Sequence, residues 1–219
     1  MCGERSRLEN SCNHSRTAVP HLIAPIRNLS LQDCIRQLTE AHDCLVTAAS
    51  AMLSAAHKTD PKYWGSDFKR LQVALPALRP AILQREAHNF GEIVNQVAGL
   101  ERLLDGLEWF AIQQPDLHVD SCHPSTSSAV GENDIILSAP GELIRIEVFD
   151  IAGGKITNDK LNKPLRTFGL GTSWVPGRLL LFVSASVASR ILPRVPNDGY
   201  HYSALWEGER THVLELHHR

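Results

Sequence analysis

Cysteine is sparse in this 219-residue chain, and none of its five, Cys2, Cys12, Cys34, Cys44 and Cys122, forms a Cys-x-x-Cys pair. An odd number at wide spacing argues against a disulfide scaffold and a zinc ribbon, so a reducing cytoplasm is the expected setting. Long apolar runs are missing as well. No uninterrupted stretch reaches the roughly 18 residues a membrane helix needs, and no apolar run follows the N-terminal charges, so neither a membrane span nor a secretory signal is expected. Charge of one sign is lacking, because 22 basic and 24 acidic residues leave a net charge of -2. Nucleic acid or an anionic membrane would then have to be met by a local patch. Two catalytic signatures are also absent. Gly153-Gly154 and Gly169-Leu170-Gly171 lack the Gly-Lys-Ser/Thr of a phosphate loop, and no Gly-x-Ser-x-Gly elbow occurs, so nucleotide-kinase and serine-hydrolase readings have no motif.

What is present is an apolar fraction of 43%, enough for a packed core. Residues 1–28 mix Cys, Asn, Ser, Arg and Pro without periodicity and read as a loose arm. Ser30 and Asp33 resemble a capping box, and Leu31, Ile35, Leu38, Leu45, Ala49 and Met52 recur at helical spacing, which predicts a helix over 31–57. Beyond the turn at Thr59-Asp60-Pro61, a second helical pattern holds Phe68, Leu71, Leu75, Leu78 and Ile82, kinked or split by Pro76 and Pro80. A third helix is predicted over 90–113, with Ile93, Val97, Leu100, Leu104, Leu107 and Phe110 on one face, ending before Pro115.

From there the period changes to two. Strands are predicted at 116–121, 133–138, 142–150 and 178–184, helices at 157–168 and 185–192, and a last hairpin from Tyr200–Trp206 to Thr211–Leu216 around Gly208. The expected class is α/β (α+β), a mixed central sheet flanked by helices. The expected organisation is an arm at 1–28, a helical region at 29–88 and the sheet-bearing core at 89–219.

Within that core the acids are oddly placed. Asn133-Asp134 opens one apolar strand, and Glu147 lies inside the next between Ile146 and Val148, with Asp150 following. Acids are depleted in central strands, and an unpaired buried carboxylate is costly unless it meets water, a cation or a metal. The nearby set His118, Asp120, Cys122 and His123 mixes metal-ligand types, and strict alternation would put His118, Asp120 and Cys122 on one face. One strand rarely closes a zinc site, so a structural role is the expectation for these residues. His212, His217 and His218 read as a fraying polar tail, and Trp174 and Trp206 as core aromatics.

A helix with an acid near its start (Phe90-Gly91-Glu92-Ile93-Val94), a strand (Leu117-His118-Val119-Asp120), a strand beginning at Asp134, a third carrying Ile146-Glu147-Val148 and then a helix together resemble the restriction-endonuclease-like, or PD-(D/E)XK, superfamily. The resemblance spans about residues 90–194. It implies a core of helix, three strands, helix and strand, in which carboxylates bind one or two divalent ions, usually Mg2+ or else Mn2+, for hydrolysis of DNA or RNA. Asp134 corresponds to the motif Asp, Glu147 to the motif Glu and Glu92 to the helix Glu of some members. The motif lysine is absent, because Phe149 stands two residues after Glu147. Lys155 or Lys160 would have to supply its charge, as migrated lysines do in that family.

Local charge agrees with a phosphate-bearing partner. Between residues 151 and 194 seven basic residues (Lys155, Lys160, Lys163, Arg166, Arg178, Arg190, Arg194) face one acid, Asp159. Lys160, Lys163 and Arg166 are the candidate nucleic-acid contacts, with the solvated face of a helix as the competing reading. The expectation is a Mg2+-dependent nuclease without a membrane partner. The alternative is a catalytically degenerate member of the fold that binds protein or nucleic acid, with the N-terminal helices as partner surface or homodimer interface.

Overall fold

A computed structural model describes residues 22–57, 83, 90–124, 134–149, 177–193 and 200–218. Seven strands form one mixed sheet: β1 (Ile26–Ser30), β2 (His118–Cys122), β3 (Ile135–Ala139), β4 (Glu142–Phe149), β5 (Gly177–Ser184), β6 (Tyr200–Glu207) and β7 (Thr211–His218). Their spatial order is β1-β2-β3-β4-β5-β7-β6. Every neighbouring pair is antiparallel except β4 with β5, which run parallel. Helices α1 (Leu31–His57), α2 (Phe90–Gln113) and α3 (Ala185–Ile191) complete the described architecture. The α+β expectation with a mixed sheet and helices therefore holds.

α1 buries Leu31, Cys34, Leu38, Ala41, Leu45 and Ala48, alternating steps of three and four that keep one stripe inward. Its start is the expected capping box. The Ser30 hydroxyl accepts the Asp33 amide at 3.1 Å and donates to the Asp33 carboxylate at 2.7 Å. That bond, followed by Arg36, holds the Asp33 carboxyl below its ordinary value. α2 buries Ile93, Leu100, Leu103, Leu104, Leu107 and Phe110, and packs with α1 over one face of the sheet. This inner face consists of Val119, Ile135, Leu137, Ile144, Ile146, Leu180, Phe182 and Val213. α2 comes close to β5, since a Cβ on Gly106 would stand only 2.3 Å from the Phe182 ring. The opposite, outer face carries Leu181, Val183, Leu214 and Tyr202, packed against Val187, Ala188 and Ile191 of α3.

The hairpin between β3 and β4 turns at Pro140-Gly141, with Ala139 opposite Glu142. Gly141 has φ 82°, the left-handed value that the second central residue of a type II turn requires, and Pro140 supplies the fixed φ at the first. At the far edge, Asp105 of α2 takes Arg210 at 2.6 Å and the buried Thr211 hydroxyl at 2.7 Å. Trp109 of α2 stacks on Trp206 of β6, with ring centres 5.9 Å apart.

Three sequence expectations change. Residues 22–28, read as part of a loose arm, include the buried Leu22 and Ile23, and β1 begins within that stretch at Ile26. The C-terminal histidines do not fray, because Thr211–His218 is a strand that pairs with β6 as far as His218 and with β5 at Thr211–Glu215. Finally, β2 carries a bulge between Val119 and Ser121, so alternation fails there. His118 is exposed while Cys122 is buried on the inner face. The helix expected across 62–82 lies outside the described residues. Leu83 is buried and bridges to Ile23.

Candidate functional site

Alternation along β4 sends Ile144 and Ile146 to the inner face and Arg145 and Glu147 to the outer one. Glu147 is only 7% exposed, opposite Leu181 of β5. Asp134 immediately precedes β3. Ile135 pairs with Ile146, so Asp134 and Glu147 occupy the next opposed positions, at the end of the sheet where the parallel strands β4 and β5 finish. In open sheets with parallel strands, ligands are bound beyond such carboxyl-terminal ends.

Backbone bonds hold the Asp134 side chain there. Its Oδ2 accepts the Val148 amide at 2.7 Å, and its own carbonyl accepts the His123 amide at 2.7 Å. The carboxylate thus extends the β3–β4 ladder by one bond past its last residue pair. This is a strand-ending role in its own right, and it also turns the carboxylate toward the strand that carries Glu147. Asp120, in the β2 bulge, accepts the Ser138 hydroxyl at 2.8 Å. Cys122 is held protonated, first by a hydrogen bond with Cys34, then by burial and by the charges of Cys34 and Asp134. A protonated, sealed thiol is neither a nucleophile nor a metal ligand.

Two further residues of this region escaped the sequence reading. Arg145 shares the outer face with Glu147, a pairing that period-two counting from the acid would have found. Tyr202, from the distant strand β6, is 4% exposed, and its hydroxyl is buried without a hydrogen-bond partner among the described residues. Burial, and then the nearby Glu147 carboxylate, push its phenol well above the ordinary value. No local sequence signal links residues 147 and 202; only the sheet order does.

The other expected site residues are not drawn together in this way. Glu92 sits half-buried in the first turn of α2, a helix on the inner face, whereas the Glu147 side chain points to the outer one. Lys155, Lys160, Lys163 and Arg166 lie outside the described residues, and so does the side chain of Phe149, whose backbone ends β4 opposite Val183. Trp206 meets Trp109 as a core aromatic, and Trp174 lies outside the described residues. Among the described residues no group of three or more His, Cys, Asp or Glu converges to hold a metal ion. An ion between Asp134 and Glu147 would complete its shell from water and substrate, which is how Mg2+ is commonly held. No helix among the described residues is long and apolar enough to cross a membrane.

No protein family, no curated protein and no solved structure matches this chain.

Proposed function

We propose that the protein is a metal-dependent nuclease of the restriction-endonuclease-like kind, hydrolysing phosphodiester bonds of DNA or RNA. The observation that carries this reading is the opposition of Asp134 and Glu147 across β3 and β4, at the carboxyl end of the sheet's parallel pair. Supporting it is the chain order of a long helix, an antiparallel β2-β3-β4 meander and a parallel β5. The donor set suits Mg2+ or Mn2+, which take oxygen ligands and need only one or two protein carboxylates. The Val148 amide occupies one lone pair of Asp134 and leaves the carboxylate charge intact.

When bound there, such an ion lowers the pKa of a coordinated water and neutralises charge on the scissile phosphate. Asp134, held by β4, and Glu147, held between Ile146 and Val148, fix the ligand positions. Glu92, on the helix over the inner face, lies apart from this pair and takes no part in the reading. Lys155 or Lys160 stabilises the developing charge, and Lys160, Lys163 and Arg166 contact the phosphate backbone. Purified protein with Mg2+ or Mn2+ should cleave at least one of single- or double-stranded DNA or RNA, and Asp134→Asn and Glu147→Gln should each abolish the cleavage while the fold survives. Intact substrates with both ions would sink the proposal.

One observation favours a second reading, a non-cleaving binder on the same fold: Phe149 stands where the motif lysine belongs. The helical N-terminal region is then the partner or homodimer surface, where α1 exposes Val46 and Leu53 one heptad apart. Cleavage that disappears in Asp134→Asn rules this reading out.

A further inference from the structure

His201 and His217 are direct partners in the antiparallel β6–β7 pair, and their imidazole centres lie 5.5 Å apart with a 35° tilt. Both belong to the terminal hairpin, on the opposite side of β6 and β7 from Tyr202 and Leu214. His217 is the open member. Its side chain is 41% exposed, its Nε2 meets the Ser203 hydroxyl at 2.8 Å, and a Glu215 oxygen lies 3.7 Å from that same nitrogen. His201 is the closed member, with Nδ1 buried and without a hydrogen-bond partner among the described residues. Arg178 of β5 takes the other Glu215 oxygen at 2.5 Å, so the carboxylate is committed to a guanidinium beside the pair.

A buried imidazole nitrogen without a partner calls for an explanation, and an ion is one of the few available. Cross-strand partners have Cβ atoms about 4.5–5.5 Å apart, which brings two imidazoles within reach of a common atom. An ion bonded at about 2.0–2.1 Å to one nitrogen of each ring keeps the ring centres close to their present separation. Imidazole selects Zn2+, Ni2+ and Cu2+ over Mg2+ and Ca2+, which prefer oxygen.

We propose that His201 and His217 form a two-imidazole chelate for a borderline transition-metal ion, independent of Asp134 and Glu147. The ion enters at the exposed His217, gives His201 Nδ1 the partner it lacks and displaces the Ser203 hydroxyl from His217 Nε2. Water fills its remaining positions. The chelate cross-links β6, the last strand of the sheet, to β7.

Ni2+ is the probe, since imidazole binds it and it does not oxidise the five thiols. Calorimetric titration of the full chain, paired with thermal melts, should show one Ni2+ bound and a raised Tm, because an ion that binds only the folded hairpin stabilises it. His201→Gln and His217→Gln should each lose both the binding and the Tm rise, while His218→Gln should keep both. Ser203→Ala should bind at least as tightly as the parent, since it frees His217 Nε2. Retained Ni2+ binding and Tm rise in His201→Gln would mean that adjacent tail histidines alone hold the ion, and would overturn the chelate. So would loss of binding in Ser203→Ala, or a parent chain that takes up no Ni2+. Melts without metal show whether each variant folds; were His201→Gln to unfold, Ser203→Ala and His217→Gln still decide the question.

Discussion

Tyr202 is the most exacting residue in the described core, because its hydroxyl is sealed away from water and from any partner among the described residues. A buried hydroxyl without a hydrogen bond costs roughly 1–3 kcal/mol, so Tyr202→Phe should hold or raise stability by up to about 1 kcal/mol in urea melts. The pH dependence follows from its raised phenol. The folded form resists ionisation whereas the unfolded chain ionises at its ordinary value of 10.0, so stability is fully present below that pH and falls as pH rises through it. Tyr202→Phe should lose that alkaline component, and an unchanged alkaline limb would show that other groups set it. Asp33 works in the reverse direction. Its carboxyl is depressed by the Ser30 hydroxyl and then by Arg36, so its contribution is present above the ordinary carboxylate range and fades as pH falls. Ser30→Ala should shrink the acid-sensitive part, leaving what Arg36 supplies, and loss of the cap itself should cost about 1 kcal/mol in urea melts near neutral pH.

Among elements, α1, α2 and the β3–β4 hairpin were legible because their periods are unbroken. The spacing of Leu31, Leu38 and Leu45 and of Ile93, Leu100 and Leu107 marked α1 and α2, and Pro140-Gly141 marked the turn between β3 and β4. The acid pair was legible for the same reason, since Asp134 and Glu147 are counted from that turn. β1 was not, because Asn28 adopts φ 53° and breaks the alternation of a five-residue strand. The β2 bulge hid the true facing of Cys122 in a similar way, since one extra residue reverses every alternation argument beyond it. Packing between elements leaves the faintest trace in a sequence. Gly106 is the place where α2 meets the Phe182 ring, so Gly106→Ala should cost about 1–3 kcal/mol despite its better helix propensity. A stabilised Gly106→Ala protein in a denaturant melt would show that the ring can move aside.

At the scale of the molecule, one sheet carries α1 and α2 on one face and α3 on the other, so its two faces form separate hydrophobic clusters. The acid pair lies where the antiparallel meander meets the parallel step, in the hairpin of β3 and β4. The β6–β7 hairpin is fastened to α2 by Asp105, through Arg210 and Thr211. Asp105→Ala should therefore loosen the hairpin edge before the meander, seen as faster amide exchange in β6 and β7 than in β3 and β4. Uniform acceleration across the sheet would show instead that the molecule opens only as a whole.

The sealed thiols also make the protein its own clock. Cys34 and Cys44 of α1 and Cys122 of β2 are all buried, and Cys122 is kept protonated by its neighbours. A thiol-modifying reagent can reach Cys34 or Cys122 only when α1 lifts from the sheet. With Cys2, Cys12 and Cys44 replaced, the modification rate of Cys34 and Cys122 under native conditions would time that excursion directly, without denaturant.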